Sequence, residues 1–392
     1  MRKLFSRPNN FIIPIVVAFF NFLLILFPGD IVEAARTGLL LWFNNVLPAL
    51  LPFIIGTNIL VAVGFVGFLG KLLNPLMMSL FRLPGAGGFA LATGMMSGYP
   101  MGAKTTTALV QDGHIPAAQA WRLAALCNNA GPLFILGAVG VSLLSDVSAG
   151  YFIMFCHYAG AIITGFVISR FASREPYKPQ KAGVPTTTEP MRTRHPKLLG
   201  EILGASVKNA METIVIIGGY IILFAVIIRA LKIIGTFDVA LVLAHPLLAT
   251  LGIEQALLHG TIVGMLEITN GALTLSEAGI FAQTIAALTF AISFGGFSIH
   301  AQSANFLAKV GVRTRGYIAA KFLHGLVSAS LAYLMFDRFG AMFAHAVPTF
   351  FQYDQPLARV YGFSSMMFLM AVLWLVCLAA ACQFFVRKRR RK

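Results

Sequence analysis

The sequence predicts an all-α polytopic membrane protein with about eight transmembrane helices and two re-entrant helical hairpins, arranged as inverted repeats. Three observations predict it. Of 392 residues, 58% are hydrophobic and only 11% charged, and the mean hydropathy is +0.80, whereas soluble domains carry about 25% charged residues. Apolar runs approach or exceed the roughly 20 residues that span a bilayer, and Phe363–Val386 holds no charged residue at all. Glycine- and proline-rich interruptions recur in the same order in the two halves of the chain. Helices are expected throughout, because a helix satisfies its own backbone in lipid.

Charge sets the expected topology. The net charge is +16, concentrated in Arg2, Lys3 and Arg7, in the stretch Arg170–Lys197 and in the tail Arg387–Lys392. Basic clusters flanking apolar helices collect on the cytoplasmic side, so both termini and the linker 174–200 are expected there, with no role in binding nucleic acid. Phe11–Pro28 is long for a signal peptide and lacks a small-residue cleavage site, so it reads as a first helix and anchor. Gly29–Arg36 then forms a net-acidic outer loop, and Gly38–Ala62 crosses inward. Gly67–Leu83 lies along the inner surface, and Gly85–Gly113 dips in and returns. Ala117–Leu144 crosses outward, and Ala149–Phe171 crosses back to the linker.

The second half repeats this order from the other side. Ile202–Leu231 crosses outward, Thr236–Leu251 lies on the outer surface, and Gly252–Ala278 dips in. Ile280–Ala308 crosses inward, Tyr317–Phe336 outward, and Phe363–Val386 returns. The halves share a signature: Gly94-Met95 before Gly102-Ala103, and Gly264-Met265 before Gly271-Ala272. Each pair is followed by an apolar helix broken near its middle, at Cys127–Pro132 and Ser293–Ser303. A hairpin arm of about ten residues rises about 15 Å, half of a hydrocarbon core. Both tips should therefore sit near the membrane midplane, where short interrupted segments in matching positions mark a transporter binding site.

The stretches SGYPMGAKTTTAL (Ser97–Leu109) and CNNAGPLFILGAVG (Cys127–Gly140) resemble the sporulation integral membrane proteins of the YlbJ type. The resemblance covers most of residues 37–340. It implies two nucleoside-recognition (Gate) domains, at 37–173 and 201–340, between an anchor (1–36) and a segment (341–392) holding an outer loop, a last helix and a basic tail. It implies a fold similar to the concentrative nucleoside transporters and to the Gate domains of bacterial ferrous-iron transporters. It also implies a function: moving dipicolinic acid across the outer forespore membrane during sporulation.

The candidate substrate-binding residues follow from the four interruptions. At the first tip they are Ser97, Gly98, Tyr99, Lys104 and Thr105, and at the first break Asn128, Asn129 and Gly131. At the second tip they are Glu267, Thr269 and Asn270, and at the second break Ser293, Gly295, Gly296, Ser298 and His300. A lysine at depth costs about 2.5–3.5 kcal/mol on insertion scales and needs a partner or a role. Lys104 is thus read as a contact to an anionic solute, as a partner of Glu267, or as a side chain snorkelling to the inner face. Glu267 is read as a proton- or sodium-coupling carboxylate or as that partner. The asparagines either bind solute or satisfy backbone freed at Pro132.

Cys127, Cys156, Cys377 and Cys382 lie in apolar runs without a C-x-x-C pair, as buried hydrophobes do. No P-loop, H-E-x-x-H or G-x-S-x-G motif is present, so an enzyme is not expected, and neither a metal nor a cofactor. The expected partners are a small-molecule solute and the lipid bilayer, with a coupling proton or sodium ion and a homo-oligomer left open. The leading expectation is a secondary transporter of a small planar anion in a multi-pass membrane location, either the cell membrane or the outer forespore membrane. The alternatives are a cation-coupled nucleoside or nucleobase transporter and a non-transporting spore-envelope assembly protein.

Overall fold

A computed structural model describes residues 12–63, 72–171, 199–251 and 253–346. Among these residues the chain is helical, without strands. In chain order the elements are α1 (Ile12–Leu26), α2 (Pro28–Leu41), a π-helical turn (Trp42–Val46) and α3 (Leu47–Ala62). Next come α4 (Leu72–Phe81), α5 (Gly87–Ser97), α6 (Met101–Gln111), α7 (Ala117–Cys127), a π-helical segment (Phe134–Leu143) and α8 (Val147–Phe171). The second half holds α9 (Leu199–Ile233), α10 (Thr236–Leu251), α11 (Gln255–Leu266) and α12 (Ile268–Ser276). It ends with α13 (Ala282–Phe294), α14 (Gly296–Ala308) and α15 (Arg315–Ala346).

Four stretches of the described residues are long and apolar enough to cross a membrane: Val147–Phe171, Leu199–Ile233, Ala282–Ala308 and Arg315–Arg338. A fifth arises if α1 and the helix after it are taken together, but they bend by 102° at Phe27. Four or five is fewer than the eight expected. The crossing expected at Phe363–Val386 lies outside the described residues, as does the linker. Gly38–Ala62 is divided among α2, the π-helical turn and α3, with Pro52 inside α3.

The expected outer loop Gly29–Arg36 is instead part of α2. Pro28 opens that helix, where its missing N–H costs nothing, and Asp30 sits in the first turn, favoured by the helix dipole. Arg229 of α9 forms an ion pair with Asp30. The Trp42 indole also donates to the Ile214 carbonyl at 3.1 Å, tying the same region to α9.

The polarity is that of a membrane protein. Val215, Ile216 and Leu223 on α9, and Phe322, Leu326 and Leu334 on α15, are exposed, while Asn128, His157, Thr284, Thr289 and Ser328 are buried. Such outward apolar surface suits lipid, and such polar side chains suit a bundle interior.

A helical hairpin forms within each of the two stretches where a re-entrant one is expected. A methyl group on Gly94 of α5 would lie 3.1 Å from the Gly102 Cα of α6. Eight residues of continuous helix would separate them by about 12 Å, so the two arms fold back on each other. One on Gly271 of α12 would lie 2.1 Å from the Gly264 Cα of α11. Each hairpin rests on the broken helix that follows it, α5 and α6 on α7, and α11 and α12 on α13. The order of hairpin, broken helix and long helix recurs as α5 to α8 and α11 to α15. Packing of α8, α13 and α15 against one another forms the centre.

Candidate functional site

The two breaks open for different local reasons. In the first, α7 stops at Cys127, residues 128–131 are not helical, and helix resumes at Pro132, which has no N–H to continue an α-helical ladder. In the second, Gly295 takes φ +89° and Gly296 φ +66° between α13 and α14, a conformation that glycine adopts without steric cost.

The tips pack directly onto these breaks. A methyl group on Gly98 would sit 2.7 Å from the Gly131 nitrogen, and one on Gly296 3.1 Å from the Gly264 carbonyl oxygen. The Tyr99 hydroxyl crosses from the first tip to donate to the Ile292 carbonyl, near the end of α13. Two tips and two breaks therefore meet.

Where they meet there is a cavity of about 40 Å³. Its polar side is made by Ser97, Tyr99, Glu267, Thr269, Ser298 and Gln302, with the Gly98 and Gly131 backbones between them. Phe134, Ile217 and Ile268 are among the apolar residues that close the other side. Ser97 Oγ, Ser298 Oγ and Gln302 Oε1 are buried with no hydrogen-bond partner among the described residues. Buried polar atoms almost always have one, and these three line one cavity. Four helix starts border the same space, because Tyr99 precedes α6, Gly131 precedes Pro132, Thr269 is in the first turn of α12 and Ser298 in that of α14.

Glu267 is 1% exposed. Its carboxylate accepts from the Asn270 backbone N–H and Nδ2, both at 2.8 Å, and from the Thr269 hydroxyl at 3.1 Å. It thereby caps α12 and satisfies a helix N-terminus. Lys104 is exposed, on a stripe of α6 with Ala108 and Gln111, and forms no ion pair with Glu267. Among the described residues the ion pair is Asp30–Arg229. The expected lysine therefore stands outside the cavity, because its helix turns Thr105, Thr106 and Thr107 inward instead.

A second buried polar layer lies beside the cavity. Asn128 Nδ2 donates to Ser303 Oγ at 2.9 Å and to the Tyr317 hydroxyl at 2.8 Å, while its Oδ1 accepts from the Ala103 N–H at 3.3 Å. Asn129 Nδ2 donates to the Leu126 carbonyl at 2.8 Å, so its Oδ1 is free to accept, and Lys321 Nζ donates to it at 3.1 Å. Ala130 N–H donates to His157 Nε2 at 3.1 Å, which leaves His157 Nδ1–H to donate to Ser293 Oγ at 2.8 Å. The Tyr158 hydroxyl lies 3.0 Å from the Ala130 carbonyl oxygen. Asn129, His157 and Tyr158 thus satisfy backbone groups at the first break, while Asn128 ties the break to α6, α14 and α15. His300 is buried beside Tyr317 of this layer, its ring edge-on to Phe294 at 4.5 Å between centroids, with neither nitrogen partnered among the described residues.

Lys321 of α15 is the cation that sequence reasoning missed. It is 0% exposed. Burying an ammonium costs on the order of several kcal/mol unless it is paired, yet its hydrogen-bond partners, Asn129 and His324, are uncharged acceptors. The signal was present: Lys321 and His324 fall inside the expected crossing Tyr317–Phe336, and an ionisable residue within a span is a functional candidate in its own right.

The chain is 34% identical over 340 residues to the sporulation integral membrane protein YlbJ of Bacillus subtilis (strain 168), covering 84% of this chain and 83% of that protein. No family model matches the chain, and no solved structure matches it. With that identity and coverage, the chain belongs to the YlbJ family of sporulation integral membrane proteins.

Proposed function

We propose that the protein is a secondary transporter of a small, planar, anionic solute, with dipicolinate the favoured substrate and the outer forespore membrane the favoured site of action. The observation that carries this reading is the cavity at the meeting of two hairpin tips and two helix breaks, lined by Ser97 Oγ, Ser298 Oγ and Gln302 Oε1, which have no hydrogen-bond partner among the described residues. Irregular backbone at membrane depth is tolerated only where protein buries it or it lines a cavity, and discontinuous helices that aim N-termini at a solute are the construction of transporter sites. Of the four helix starts that border the space, that of α12 is already capped by the Glu267 carboxylate, and the other three favour negative charge. At about 40 Å³ the cavity admits little more than water, so a ring-sized solute enters only when the tips part. In this reading the two hairpins enter the membrane from opposite faces, and their parting gives access to one face at a time.

The test is uptake by the purified protein in lipid vesicles. Wild-type protein takes up labelled dipicolinate, and Ser298→Ala combined with Gln302→Leu lowers uptake at least about tenfold, because a site built to hydrogen-bond a solute loses about 1–3 kcal/mol for each partner removed. Full uptake by the double variant would remove the cavity from the transport path.

A second reading, a nucleoside or nucleobase transporter coupled to a proton or sodium ion, is favoured by Glu267, a buried carboxylate on the cavity wall with no cationic partner among the described residues. Inhibition of uptake by uridine or adenosine, with none by dipicolinate, would select it.

A further inference from the structure

We infer that the Lys321 ammonium is the countercharge for a carboxylate of the transported anion, separated from the cavity in this conformation by the ring of Tyr99. The inference rests on the transport reading and adds to it the group that selects charge.

The ammonium is held but not neutralised. Nζ donates to Asn129 Oδ1 at 3.1 Å and contacts His324 Nδ1 at 2.8 Å, and it stands 5.7 Å from the centroid of the Tyr99 ring. Each acceptor is fixed from behind. His324 Nε2 lies 2.8 Å from the His157 carbonyl oxygen, which can only accept, so the ring carries its proton there and turns its Nδ1 lone pair to the lysine. Asn129 is oriented by its own donation to Leu126. Three ammonium hydrogens thus meet an amide oxygen, an imidazole nitrogen and an aromatic face. No carboxylate among the described residues forms an ion pair with the lysine.

Tyr99 links this charge to the cavity. The same ring that faces Lys321 also lines the cavity beside Ser97 and Gly131. It belongs to the first hairpin tip, the part that must shift for solute to enter, and is held at its far end by the Ile292 carbonyl. Movement of the tip removes one ring from between a carboxylate in the cavity and the ammonium. Lys321 also braces the first break through Asn129, so a purely structural role is the alternative to be separated.

The experiment compares two probes of the same shape on purified full-length protein: pyridine-2,6-dicarboxylate and the uncharged pyridine-2,6-dicarboxamide. Wild-type protein is expected to prefer the dicarboxylate. Lys321→Met is expected to weaken dicarboxylate binding at least about 30-fold, as removal of one partner of a buried charge pair does, and to leave dicarboxamide binding within about threefold. Lys321→Arg keeps the preference. An unchanged dicarboxylate affinity in Lys321→Met, or an equal loss for both probes, overturns the inference and leaves the transport reading standing. Wild-type protein that binds neither probe overturns both. Should Lys321→Met fail to accumulate in the membrane, Tyr99→Leu decides: with the ring gone the preference for the dicarboxylate rises, and an unchanged preference overturns the inference.

Discussion

Gly94 has no room for a side chain. A methyl group there would sit 1.9 Å from the Cys127 carbonyl oxygen, a backbone atom that cannot rotate away. Gly219, on α9, has nothing within 4 Å. Gly94→Ala is therefore expected to destabilise the protein by about 1–3 kcal/mol or more, while Gly219→Ala is neutral or stabilising by about 0.5–1 kcal/mol, as alanine for glycine within a helix is. Melting temperatures of the detergent-purified variants check this, and equal shifts for the two would contradict the close packing of tip on break. At this scale the sequence is partly legible. Gly94, Gly98 and Gly131 stand out in apolar runs, and the structure packs Gly94 against Cys127 and Gly98 against Gly131. Lys321 is legible as an ionisable residue inside an expected span, but that it faces inward while Lys104 faces outward is not, because that depends on which face of each helix turns inward. Asn128 reaches partners 175 and 189 residues away, and no local pattern encodes such pairs.

Among the elements, the hairpins and broken helices are the best foreseen, since their glycines and prolines mark them directly. The first helix is the least. From sequence its continuation, GDIVEAAR, reads as a net-acidic outer loop, whereas Pro28 and Asp30 start a helix and Asp30 finds its cation on α9. Glycine at a positive φ allows one break to be weighed against an ordinary turn. Gly295 (φ +89°) separates α13 from α14, and Gly279 (φ +87°) lies in the turn between α12 and α13. A methyl group on Gly295 would meet Tyr99 at 3.4 Å, an ordinary contact, and one on Gly279 would meet nothing. Alanine at either position is expected to cost about 1–2 kcal/mol for the left-handed backbone. Under the proposed transport cycle only Gly295→Ala should also lower dipicolinate uptake, because Gly295 abuts Tyr99 of the first tip and Gly279 abuts nothing. Equal uptake by the two variants would show that the second break is not part of the working machinery.

Taken whole, the molecule turns apolar side chains outward on α8, α9 and α15 and gathers its polar residues where the two halves meet. Composition alone makes the first half of that statement legible. The second half is not, since it requires Tyr99 from one half to reach Ile292 in the other. The proposed transport cycle makes that meeting point accessible from each side of the membrane in turn. The most direct measurement is thiol labelling of Ser298→Cys in a background with the natural cysteines replaced, using a membrane-impermeant reagent on vesicles of both orientations. The account predicts labelling from either side, slowed by dipicolinate. Labelling that never occurs, or that dipicolinate leaves unchanged, would contradict it.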